Sequence, residues 1–216
     1  MSIPGIDPRL YAFIGVAAIL TVLPGADMAL VTRNVLAVGR RRTMLTIVGI
    51  CLGCVLHATA SALGLSAILA TSATAFNVVK TFGAAYLVWI GIQSIREANR
   101  PSRAAAAPDA PRETTGSRAL GPFLQGFLTN ILNPKVAVFY LTFLPQFIRP
   151  GESVLRRSLL LASIHIGLGF AWLTAYAWFV DRLGAVLTRP KIKAWMERVS
   201  GGLLIGLGAR LAWERR

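Results

Sequence analysis

The chain has 216 residues, 55% hydrophobic and 15% charged, with 23 Lys and Arg against 9 Asp and Glu for a net charge of +14. Soluble domains are about a quarter charged, and the mean hydropathy here is +0.60. This apolar mass excludes a disordered basic tail. The low charge density excludes a soluble nucleic-acid binder, whose basic residues sit on a mixed-charge surface, and two cysteines are too few for a disulfide-stapled domain. An integral membrane protein with cationic loops remains.

A spanning helix needs about 20 mostly apolar residues. Residues 10–32 carry one charge, Asp27. Residues 43–95 are interrupted only by Lys80, a length that suits two helices turning near 70–75. Residues 119–148 carry only Lys135, residues 158–180 no charge, and residues 199–213 only Arg210. The expected fold is an all-α integral membrane protein of six transmembrane helices, or five if the weak last stretch lies on the surface. Arg9 follows Pro4 and Pro8, and no small-residue cleavage site follows the first apolar run. The first helix is therefore expected to be retained rather than cleaved as a signal peptide.

Lys and Arg concentrate in cytoplasmic loops. Arg33, Arg40, Arg41, Arg42, Arg96, Arg100, Arg103, Arg112, Arg118, Arg182, Arg189, Lys191, Lys193 and Arg198 put fourteen on one side. Arg9, Lys80, Arg149, Arg156, Arg157, Arg210, Arg215 and Arg216 put eight on the other. Both termini are thus expected on the periplasmic face of a bacterial cytoplasmic (inner) membrane. Loop bias accounts for the basic balance, and no nucleic-acid partner is implied. Residues 99–118, rich in Ala, Pro and Ser/Thr, read as a cytoplasmic linker. It divides a first three-helix repeat, 1–98, from a second, 119–216.

Two three-helix halves joined this way have opposite orientations, the inverted-repeat plan of many secondary transporters. Three matches fall in the same order: Pro24 with Pro134, Leu52-Gly53 with Leu168-Gly169, and Lys80-Thr81-Phe82-Gly83 with Arg198-Val199-Ser200-Gly201, at offsets of 110, 116 and 118. A helix proline has no amide proton and frees the carbonyl four residues earlier, here those of Leu20 and Asn130. In lipid such a carbonyl must find a partner or line a wet cavity. Broken helices at corresponding places in two halves point to a substrate site. The candidate pathway residues are Pro24, Gly25, Asp27, Asn130, Asn133, Pro134 and Lys135. A charge at mid-membrane costs about 2.5–3.5 kcal/mol on insertion scales, so Asp27 and Lys135 either pair with each other or serve a substrate or proton. A plain kink, or snorkelling of the two charges to an interface, is the alternative.

Pro24-Gly25-Ala26-Asp27 followed by Gly39-Arg40-Arg41 resembles the first-helix signature of the LysE/RhtB family of amino-acid exporters. Residues 83–91, GAAYLVWIG, resemble its third helix, and 126–135, GFLTNILNPK, with 143–147, FLPQF, its fourth. The resemblance runs from about Pro24 to Leu211. It implies a secondary exporter of amino acids or related small amines, driven by the proton gradient, with an amino-acid substrate, protons and the bilayer as partners and no cofactor.

Cys51-x-x-Cys54 supplies a rival reading, a membrane thiol-redox protein, although no cation stands nearby to activate a thiol. With His57, the two cysteines share a helix face and suggest a soft-metal exporter, but a fourth ligand is missing. His57 is otherwise expected as a satisfied polar residue between helices, and His165 is the other histidine of the chain. Gly49-x-x-x-Gly53 and Gly202-x-x-x-Gly206 allow close helix approach, inside the chain or in a homo-oligomer. Tyr86, Trp89, Trp172, Tyr176 and Trp178 read as interfacial anchors or path-lining rings. No catalytic constellation is visible, and an enzyme is not expected.

Overall fold

The chain breaks a helix at a proline twice, at Pro24 and at Pro134. The computed structural model describes residues 7–71, 73–99, 120–149, 151–187 and 189–213. The expected linker at 99–118 lies outside these, apart from Asn99. The helices are α1 (Pro8–Val22), α2 (Ala26–Val38), α3 (Arg40–Thr71), α4 (Ala73–Ala98), α5 (Leu120–Ile131), α6 (Pro134–Val138), α7 (Val154–Leu187) and α8 (Pro190–Trp213). A wide π turn, Phe139–Phe143, and a tight turn, Leu144–Phe147, continue α6. Leu23 is extended, as residues before proline tend to be, so α1 stops and α2 restarts beyond Gly25 at 48° to it. Pro134 opens α6 with Asn133 as its cap, and α5 stands at 50° to the segment Pro134–Phe147.

By length and composition, α3 over Arg40–Gly64 and α7 over Val154–Gly184 can cross a membrane, with mean hydropathies of 1.8 and 1.6. Counting each bent pair as one span brings the number to four among the described residues. This is short of the six expected. α4 and α8 are 26 and 24 residues long, but Asn77, Lys80 and Gln93 dilute one, and Lys191, Lys193, Glu197 and Arg198 the other.

The buried apolar residues form two clusters. One joins Phe13, Leu20 and Leu23 of the first helix region to Phe139, Tyr140, Phe143, Leu144, Leu161 and Leu204. The other joins Met28, Val31 and Val35 of α2 to Ile47, Ile50, Leu173 and Val180. The Pro24 break therefore marks the boundary between the clusters. α3 and α5 approach until Gly49 faces the Phe123 carbonyl and Gly126 the Thr46 carbonyl, where a β-carbon would collide. Within the chain, the close approach on α8 is made by other glycines than the Gly202-x-x-x-Gly206 pair. Nothing lies near Gly202 or Gly206, whereas Gly201 packs on Gly91 and Gly208 on the Ala84 carbonyl of α4.

At the start of α1, Asp7 caps the helix by accepting from the Arg9 amide at 3.0 Å. It also takes Arg149 at 2.6 Å and Arg157 at 2.7 Å, tying α1 to the segment after the tight turn and to α7. Burial pushes the Asp7 carboxyl up, but the Arg9 amide and the Arg149 and Arg157 guanidiniums outweigh it and hold it below the usual carboxylate range. Glu152 completes the cluster, 3.7 Å from Arg157.

Candidate functional site

A cavity of about 50 Å³ lies at the Pro24 break, between the two apolar clusters. Gly25, Asp27, Cys51, Cys54, Lys135 and His165 line it, with Leu20, Leu23, Ile50, Val136 and Leu173 as apolar wall. A water needs only about 10–15 Å³ measured this way, so there is room for more than one.

The two breaks are held across the chain. Pro24 frees the Leu20 carbonyl, and the Lys135 ammonium donates to it at 3.4 Å and to the Leu23 carbonyl at 3.0 Å. Pro134 frees the Asn130 carbonyl, which accepts from His57 Nε2 at 3.1 Å and from the Asn133 amide at 3.0 Å. A residue of the second broken helix thus caps the first break, and α3 caps the second. Gly25 leaves room for this arrangement, since a β-carbon there would stand 3.0 Å from Lys135 Nζ.

Asp27 does not pair with Lys135, although charge logic suggests it. Among the described residues no ion pair joins them. Instead Asp27 Oδ2 accepts from Asn130 Nδ2 at 3.0 Å and from Asn133 Nδ2 at 3.3 Å. Those amides cap the carboxylate at the second break, while Lys135 is engaged at the first. Among the described residues, Asp27 Oδ1 and Asn130 Oδ1 are buried with no hydrogen-bond partner. Buried acceptors left bare cost about 1–3 kcal/mol each, and Asp27, which lines the cavity, favours a ligand with an N–H donor.

All seven sequence-predicted residues meet here: Pro24 and Pro134 shape the breaks, Gly25, Asp27 and Lys135 line the cavity, and Asn130 and Asn133 orient Asp27. Sequence reasoning missed His165, which faces the cavity and bonds Tyr140 Oη through Nδ1 at 3.0 Å. Its presence in an uncharged span was the available signal. Tyr140 in turn sits on the π turn, a frequent companion of functional sites. Cys51 and Cys54 are free thiols on the cavity wall. No group of three or more His, Cys, Asp or Glu is placed to hold a metal among the described residues. Tyr86, Trp89, Trp172, Tyr176 and Trp178 are not part of the cavity wall. Tyr176 bonds Thr32 at 2.9 Å, and Trp178 stacks under Arg182 at 5.3 Å.

Residues 18–215 match the sequence profile of the LysE type translocators. The chain belongs to the LysE type translocator family. This translocator is a membrane transporter and not an enzyme. It is 30% identical to the membrane protein YrhP of Bacillus subtilis (strain 168), over 93% of this chain and 97% of that protein. It is 29% identical to the homoserine/homoserine lactone efflux protein of Salmonella typhimurium, over 95% and 96%. Identity to the threonine efflux protein of Escherichia coli (strain K12) is 26%, over 94% and 96%. No solved structure matches the translocator.

Proposed function

We propose that this translocator is a secondary active exporter of amino acids or related small amines, coupled to the proton gradient across the bacterial inner membrane. The observation that carries the reading is a bare acceptor and a cation lining one cavity. Asp27 Oδ1 has no hydrogen-bond partner among the described residues, and Lys135 lines the same space. A zwitterion fits this polarity, its ammonium on Asp27 and its carboxylate toward Lys135. The efflux proteins named for homoserine and threonine support the substrate class. In this reading six spans form two inverted three-helix repeats, 1–98 and 119–216, each opening with a broken helix, and both termini face the periplasm. Asp27 is the carboxyl through which a proton enters the cycle.

Cys51 and Cys54 face the same cavity, which keeps a thiol-exchange role as the rival. The deciding experiment is growth of cells with and without the overexpressed translocator on a panel of inhibitory amino acids and analogues, with Asp27→Asn at matched membrane abundance. Resistance to a subset of zwitterions, lost in Asp27→Asn, is expected. Unchanged sensitivity across the panel would overturn the reading.

A further inference from the structure

The ammonium of Lys135 occupies an unusual position for a membrane lysine. Among the described residues it pairs with no carboxylate. It fits against two backbone carbonyls, Leu20 at 3.4 Å and Leu23 at 3.0 Å, that the Pro24 break has turned away from their helical amides. Beside this seat, Gly25 has no side chain, and any β-carbon would approach Lys135 Nζ to 3.0 Å. Asp27 Oδ1, buried and without a donor, belongs to the same cavity. Carbonyls from an unwound segment with a carboxylate nearby are the donor set with which broken transporter helices hold a free monovalent cation. Here the protein supplies that cation from α6 on a four-carbon tether.

We propose that the Pro24 break is a monovalent-cation seat whose resident ion is the Lys135 ammonium. The tether replaces an exchangeable ion, so the break stays capped without sodium from solution. Because Lys135 follows Pro134 directly, movement of the second broken helix carries the cation out of the seat in the first. The seat deepens the transport reading, yet it exists whether or not amino acids are the cargo.

The test removes the tether and returns its end. Lys135→Ala deletes the atoms of n-propylammonium, so that ion refills the seat. The purified variant is expected to unfold at lower temperature than wild type. Propylammonium chloride should raise that temperature saturably by about 2–4 °C, and wild type should not respond. Tetramethylammonium chloride, which has no N–H, and propanol, which has no charge, serve as controls. An equal rise with propanol means that an apolar tunnel was filled and overturns the proposal, as does no rise at all or an equal rise in wild type. If Lys135→Ala does not accumulate, cells expressing it are grown in propylammonium. Membrane abundance must then recover, and unchanged abundance overturns the proposal. No amino acid enters this assay, so a failed growth panel with a positive propylammonium response would remove the cargo assignment and leave the seat.

Discussion

His57 Nε2 stands 3.1 Å from the carbonyl oxygen of Asn130, the oxygen that Pro134 deprives of its helical amide. A carbonyl only accepts, so Nε2 carries the proton. His57 also stacks on Tyr140, their ring centroids 6.1 Å apart. Replacing it with Leu removes the donor and leaves the Asn133 amide as partner. The expected cost is about 1 kcal/mol, a fall of about 2–4 °C in unfolding temperature of the detergent-purified protein. His57→Gln, which keeps an N–H, should recover part of that. Equal losses in the two variants would show that packing, not the cap, is what His57 supplies.

Gly25→Ala places a methyl group 3.0 Å from Lys135 Nζ and 3.5 Å from its Cε. Lys135 must give by a few tenths of an ångström to admit it, which loosens its hold on the Leu23 carbonyl. We expect export to fall well below wild type at near-normal membrane abundance, measured by efflux of the amino acid found in the growth panel. Full export would mean that the Lys135 position is not critical to the cycle.

Cys51→Ala with Cys54→Ala should leave export largely unchanged. The thiols are wall residues with no neighbouring metal set among the described residues. Attaching a bulky thiol reagent to Cys51 should instead block export by filling the cavity. Loss of export in the double Ala variant at normal abundance would favour thiol chemistry.

Asp7 gives the fold an acid limit. Its carboxyl is held below the ordinary range near pH 4. A group depressed in the folded state contributes stability above its unfolded pKa, and that contribution is lost as pH falls through the folded value. Unfolding temperature should therefore drop as pH is lowered below about 4, and Asp7→Asn should flatten the drop. An identical pH profile in Asp7→Asn would remove the Arg149 and Arg157 cluster as its cause.

The charge split predicts that a phosphatase fused after Arg216 is active and a fluorescent protein there is dark. Fusions within 99–118 should behave in the opposite way. The reverse pattern would invert the topology.

The broken helices were legible because proline removes an amide wherever it stands, and Asp27 and Lys135 because charges inside apolar runs are conspicuous. Their mutual arrangement was not. Opposite charges suggest a pair, but the side chains of Asn130 and Asn133 reach Asp27, and no local pattern encodes that distance of 103 or 106 residues. His165 escaped for another reason. A helix that is apolar nearly all round has no periodicity to mark which face meets a cavity. The consecutive glycines Gly201 and Gly202 likewise offered two registers, and packing chose the one the spacing rule passed over.

The wide turn at Phe139–Phe143 has a consequence for chain length. A π turn accommodates one residue more than an α turn, and each helical residue advances the face by about 100°. Because the turn itself absorbs the extra residue, deleting one residue there would leave a regular α turn and keep the flanking faces in register, with Phe147 still edge-on to Phe13, now 5.3 Å between ring centres. The same deletion in a regular α turn would swing everything downstream around by about 100°. The wide turn is therefore the place where this helix can lose a residue without re-aiming the ones that follow.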